Sequence, residues 1–121
     1  DFGVGFFTKY GDGGVDLSPI ADLMKSDVIA LGRYLNVPES ILKAAPSDGL
    51  FADSRSDEEQ LGASYDELEW AMLEHAKGKV AGDFSGRERE VFEIYQRLNR
   101  ANQHKMNPIP VCVIPDEWKK I

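Results

Sequence analysis

Apolar positions recur at helical spacing in three stretches of this chain. Val28, Leu31 and Leu35 share one face of a predicted helix running from about Ser26 to Leu35, with Asp27 at the favourable positive end of the dipole. Leu68, Ala71, Met72 and His75 share a face of a second, opened by the capping-box spacing Ser64-Tyr65-Asp66-Glu67 and closed by Gly78. Val91, Ile94, Tyr95 and Leu98 face inward on the longest predicted helix, from Ser85-Gly86-Arg87-Glu88 to about Gln103. A shorter helix is expected from Pro38 to Lys43, and Ser56-Asp57-Glu58-Glu59 has capping-box spacing as well.

The intervening segments read differently. Residues 1 to 19 carry five glycines and no helical period, so they predict a loop with a short extended piece at Val4 to Thr8. Ser18-Pro19 has the residue types of a helix start. Residues 44 to 56 form a long loop rich in Pro, Ser, Asp and Gly, a length that signals either function or disorder. The tail after Asn107-Pro108 has room for a short strand, limited by Pro115. The pattern is mostly helical, with few β-branched apolar runs. That is the appearance of a portion that supplies helices to a sheet located elsewhere.

The 121 residues suffice for one modest domain with a small core. A net charge of −7 argues against a nucleic-acid surface, which needs a basic face, but leaves room for one phosphorylated small molecule held by local lysines. The lone Cys112, flanked by valines, excludes an internal disulfide and reads as a buried thiol in a reducing cytoplasm. No apolar run approaches the ~18 residues a membrane span needs. The chain starts at Asp1 rather than methionine and is expected to belong to a longer polypeptide.

Lys9 and Lys25 bracket the turn Gly11-Asp12-Gly13-Gly14. Glycine N–H groups can cradle an anion and a lysine adds a mobile point charge, while Asp12 and Asp16 suit ribose hydroxyls or a cation. The plain alternative is a tight turn with solvated charges. His104-Lys105 at the end of the long helix reads either as an anion clamp or as a dipole-favoured helix end. Ser47 within "APSDGLF" can present a hydroxyl to a ligand or simply make a turn.

The blocks "GFFTKYGDGGVDLSPIADLMKSDV", "APSDGLF", "SDEEQLGASYDELE", "HKMNP" and "DEWKK" occur collinearly over essentially the whole chain, and in this order and spacing they resemble ammonia-dependent NAD synthetase. The resemblance implies an adenine-nucleotide α-hydrolase-like α/β fold, a parallel sheet flanked by helices, of which residues 1–121 supply a mostly helical C-terminal portion of a single domain. It implies a cytoplasmic homodimer that converts deamido-NAD, ATP and ammonia to NAD, AMP and pyrophosphate, with magnesium, through an adenylated intermediate. It places Lys9, Asp16, His104 and Lys105 on deamido-NAD, Lys25 and Ser47 on ATP, and Asp1 on magnesium. The form "TKYGDGG" favours free ammonia over a fused glutaminase as nitrogen source. The Ser-Gly-Gly-x-Asp-Ser pyrophosphate loop of that family is absent from these residues. The chain alone is therefore expected to be inactive, and a non-catalytic remnant with a binding or structural role is the competing expectation.

Overall fold

The computed structural model describes residues 2–11, 14–47 and 56–119. A 3-10 turn at Phe2–Val4 is followed by α1 (Lys25–Tyr34), α2 (Glu39–Leu42), α3 (Asp57–Leu61) and α4 (Tyr65–Ala76). After a second 3-10 turn at Ala81–Asp83 come α5 (Gly86–Ala101), α6 (Gln103–Met106) and a final 3-10 turn at Asp116–Trp118.

Two of the three capping boxes close as their spacing predicts. Ser56 Oγ accepts from Glu59 N at 3.2 Å while Glu59 Oε2 accepts from Ser56 N at 2.7 Å. Ser64 and Glu67 repeat the exchange at 3.2 and 2.9 Å. The third does not form: no side-chain bond caps α5 at Ser85. Gly86, at a φ of +56°, bends the first turn away from the geometry that would aim a Ser85 hydroxyl at the third helical amide.

The core lies where α4 crosses α5. Leu68 and Ala71 of α4, Val91, Phe92 and Tyr95 of α5, Leu61, Ala63 and Tyr65 from the α3–α4 corner, and Val4 from the N-terminal strap are all buried. Phe92, completely buried, was not among the inward positions expected of α5. It lies beside Val91, so the apolar stripe is wider than the strict spacing suggests. Trp70 and Phe84 close one side edge-to-face at 5.0 Å.

Several expectations for the irregular segments are corrected. Val4 to Thr8 is not extended: it follows the first 3-10 turn and passes through Gly5 at a φ of +69°. Ser18-Pro19 starts no helix. Residues 18–23 make two turns, Ala21 N to Ser18 O and Leu23 N to Ile20 O, because the short segment has no packed partner to stabilise a helix. The tail forms no strand among the described residues, and Cys112 is exposed rather than buried, since nothing folds over the segment.

The described residues contain helices and no strand, which is consistent with a mostly helical portion of a sheet-containing fold. What they do contain is an arm without a core of its own. No residue between 14 and 47 is buried, and Leu17, Tyr34, Leu35 and Ile41 are 78, 82, 63 and 63% exposed. Apolar exposure on this scale is that of a face built to be covered.

Candidate functional site

The strap that carries Lys9 lies along the end of the long helix. Asn99 Nδ2 donates to Gly3 O at 2.7 Å, Asn102 Nδ2 to Val4 O at 2.9 Å, and Lys105 Nζ to Gly5 O at 2.9 Å. The chain then returns the contact, as the Lys9 ammonium donates to the carbonyls of His104 and Asn107 around the C-terminus of α6. A cation there satisfies carbonyls the helix leaves open and complements its dipole. Lys9 also lies 5.6 Å from the centre of the Tyr10 ring.

Lys9, His104 and Lys105 therefore meet in one place, although they are almost a hundred residues apart in sequence. Both lysines are half-buried and His104 is exposed. Each ammonium carries three N–H groups. The bonds above engage two of Lys9's and one of Lys105's. A concentrated positive spot on a chain of net charge −7 is suited to an anionic ligand. Asp16 is not gathered with them: it is exposed, and among the described residues no hydrogen bond of this cluster reaches it.

At its described ends the glycine segment takes the plainer of its two readings, a tight turn. Gly11 N donates to Thr8 O and Gly14 N to Gly11 O, so both amides are spent within the turn. Asp12 and Gly13 lie outside the described residues, as does the loop 48–55.

A second cluster gathers around Lys25, the first residue of α1. Its Nζ lies 5.3 Å from the centre of the Tyr65 ring, a cation–π distance. Glu69 of α4 fixes the start of α1, accepting from Ser26 N at 2.9 Å and Ser26 Oγ at 2.6 Å. The Tyr65 hydroxyl donates to Asp57 Oδ2 at 3.2 Å. Burial, and then the adjacent Asp57 carboxylate, push the Tyr65 phenol far above its ordinary range, so it stays a neutral donor. Asp57 N in turn donates to Pro46 O at 2.9 Å, which ties the loop carrying Ser47 to the same corner. Ser47 itself is exposed. Among the described residues, Asp57 Oδ1 and Gln60 Nε2 are buried there without a hydrogen-bond partner, an acceptor and a donor one turn apart on α3. Left so, each costs about 1–3 kcal/mol.

Among the described residues, no group of three His, Cys, Asp or Glu side chains is placed to hold a metal ion. Asp1, the expected magnesium ligand, lies outside them. A shallow groove of about 310 Å³ lies elsewhere, between α4 and the start of α5, lined by Asp66, Glu67, Trp70, Arg87, Glu88 and Val91. Its three carboxylates against one guanidinium make it a poor host for a polyphosphate.

Asn99, Asn102, Tyr65 and Glu69 escape the sequence reading. Their only signal is spacing: Asn99, Asn102 and Lys105 stand three residues apart, a helical row indistinguishable from an ordinary solvated face.

Residues 1–109 match the family model described as NAD synthase. The NH(3)-dependent NAD(+) synthetase of Picrophilus torridus is 42% identical over 116 residues, 96% of this chain and 44% of that protein. That of Archaeoglobus fulgidus is 40% identical over 113 residues, 93% of this chain and 43% of that protein. Among solved structures, an NMN synthetase from Francisella tularensis superposes with a TM-score of 0.70 at 32% identity, over 95% of this chain and 42% of that one. The chain spans less than half the length of each of these relatives, and no helix among its described residues is long and apolar enough to cross a membrane. By the extent of these matches, the chain belongs to the NAD synthase family.

Proposed function

We propose that this chain supplies part of the substrate-binding surface of a ligase that converts deamido-NAD, ATP and ammonia to NAD, AMP and pyrophosphate. The observation that carries the reading is the convergence of Lys9 with His104-Lys105 on a chain of this family. In the proposed reaction a nicotinate carboxylate oxygen attacks the α-phosphorus of ATP and pyrophosphate leaves. The nitrogen of ammonia then attacks the activated acyl carbon and the bond to AMP breaks, with ammonia's surplus protons passing to solvent. Activation turns a poor acceptor into one with a good leaving group.

In this reading Lys9, Lys105 and His104 hold the phosphates of deamido-NAD, and Asp16 approaches a ribose hydroxyl from the exposed arm. Lys25 and Ser47 face ATP. The chemistry asks these groups for position and charge neutralisation rather than proton transfer. Magnesium, which the resemblance implies, would take its ligands from outside the described residues. The exposed arm between residues 14 and 47 would be covered by the remainder of a sheet-containing domain in a cytoplasmic homodimer. Without that remainder the chain is expected to be inactive.

A second reading has one observation in its favour: the solved relative from Francisella tularensis is an NMN synthetase. In it the acceptor is nicotinate mononucleotide, which presents the same carboxylate with one phosphate.

The test joins this chain to the portion of the Picrophilus torridus relative that lies outside the match. The joined enzyme is expected to form NAD from deamido-NAD, ATP and ammonia, and the chain alone is expected to form none. A folded joined enzyme that binds neither nucleotide overturns the ligase reading in favour of a non-catalytic role. A higher kcat/KM for nicotinate mononucleotide than for deamido-NAD selects the second reading.

A further inference from the structure

Three consecutive carbonyls of the strap, those of Gly3, Val4 and Gly5, are each read by one side chain from the helix end. Asn99 takes the first at 2.7 Å, Asn102 the second at 2.9 Å and Lys105 the third at 2.9 Å. The donors advance by three residues from α5 through the Asn102 junction to α6, while the acceptors advance by one along the strap. Any residue supplies a carbonyl, so the glycines select the register: a slip of one residue would put Val4 or Phe6 where Gly5 leaves no room for a β-carbon, and the three bonds then hold the strap there. The strap is pressed close enough that a β-carbon on Gly5 would stand 2.1 Å from Asn102 Cβ, and one on Gly3 would stand 2.5 Å from Met72 Sδ. Lys9, four residues beyond Gly5, then reaches back to His104 O and Asn107 O.

We propose that Asn99 and Asn102 are positioning residues for the anion site: their carboxamides hold the strap in the register its glycines allow and so set where the Lys9 ammonium stands relative to His104 and Lys105. Neither asparagine touches the ligand. The inference rests on the reading of this cleft as the place where the phosphates of deamido-NAD bind, and it adds a geometric determinant that the cluster of cations by itself lacks. Lysine is a point charge on a flexible stem. Without a register lock, two lysines on separate segments define no fixed spacing for a diphosphate.

The test is amine footprinting of the whole chain with limiting N-hydroxysuccinimide acetate, read by mass spectrometry at each lysine. In the wild type, Lys9 and Lys105 are expected to label more slowly than the exposed Lys43. Asn102→Asp keeps the side-chain volume and removes the donor. Asn99→Ala breaks a different rung. Each is expected to raise labelling of Lys9 and Lys105 about five-fold, the equilibrium factor for one lost hydrogen bond, while Lys25 and Lys43 stay unchanged. Unchanged Lys9 and Lys105 overturn the proposal. A uniform rise at all four lysines marks a merely structural role and overturns it as well. Adding deamido-NAD to the joined enzyme and its variants separates the two claims. Protection of Lys9 and Lys105 in the wild type, lost in the variants, supports both. Selective exposure in the variants with no protection in the wild type sinks the substrate reading and leaves the positioning intact.

Discussion

Lys9 donates from its ammonium to the backbone carbonyl of His104 across 95 residues of sequence. The bond joins the two segments that the family resemblance assigns to one substrate, and it does so through backbone rather than side chain. Lys9 caps α6, and under the proposed function it has a second task, meeting an anion. Lys9→Met keeps the apolar stem and removes the charge. In the joined enzyme the KM for deamido-NAD is expected to rise about tenfold, the usual loss of one charge-assisted hydrogen bond, with the KM for ATP within about twofold of the wild type. Equal rises for both substrates would reject the assignment.

Gly5 is the tightest point of the strap. Its φ of +69° lies where a side chain is disfavoured, and its missing β-carbon leaves room for Asn102. Gly5→Ala meets both obstacles, strain and a 2.1 Å clash. It is expected to lower stability by roughly 2 kcal/mol or more, seen as a lower urea midpoint with an unchanged slope. Gly82→Ala is the control, because a β-carbon there meets nothing within 4 Å. Equal effects at the two positions would show that the strap is not docked as described.

These two residues also show what was legible in the sequence and what was not. The helices could be read because caps and apolar spacing are local signals: Ser56, Ser64 and the stripe on α5 needed only their neighbours. Lys9 and Lys105 were named from collinear blocks, but the bonds that unite them run to backbone carbonyls, and any residue type supplies a carbonyl. Asn99 and Asn102 were invisible for the same reason. The exposure of Cys112 and the turns at Ser18-Pro19 depend on whether something packs over a segment, which no local pattern encodes. Asp1, Asp12 and the loop after Ser47 lie outside the described residues, so the rest of the expected nucleotide contacts stay at the level of resemblance.

Glu67 gives the chain a dependence on pH. Arg87 donates to both its oxygens, Nε to Oε1 and Nη2 to Oε2, each at 2.8 Å. That pair first, and the bond from Ser64 N next, hold its carboxyl at about 2, below an ordinary 4.5. The folded chain thus binds this proton more weakly than the unfolded one. The stabilisation is fully present above about pH 4.5 and is lost as pH falls towards about 2. Glu67→Gln should flatten that decline. Because the Glu67 and Arg87 side chains are 34 and 49% exposed, solvent screening keeps the effect modest. Between pH 5 and pH 2.5 the wild type is expected to lose on the order of 3 °C of Tm more than the variant. Parallel curves would show that the pair contributes nothing.

Lys25 is held differently from Lys9, against a ring rather than a carbonyl, and that difference can be measured. The ring of Tyr65 lies 5.3 Å from its ammonium, while the hydroxyl of the same residue is committed to Asp57 at 3.2 Å. Tyr65→Phe keeps the ring and removes the hydroxyl. It is expected to cost about 1–2 kcal/mol of stability, since Asp57 already has one oxygen without a partner among the described residues. It should leave the KM for ATP within about twofold, because the face that Lys25 meets is intact. Lys25→Met removes the charge and is expected to raise the KM for ATP about tenfold, with little change for deamido-NAD. Steady-state kinetics in the joined enzyme separate the two. An unchanged ATP dependence in Lys25→Met would reject its assignment to ATP. A Tyr65→Phe enzyme as impaired towards ATP as Lys25→Met would move the burden from the ring to the hydroxyl and its partner Asp57.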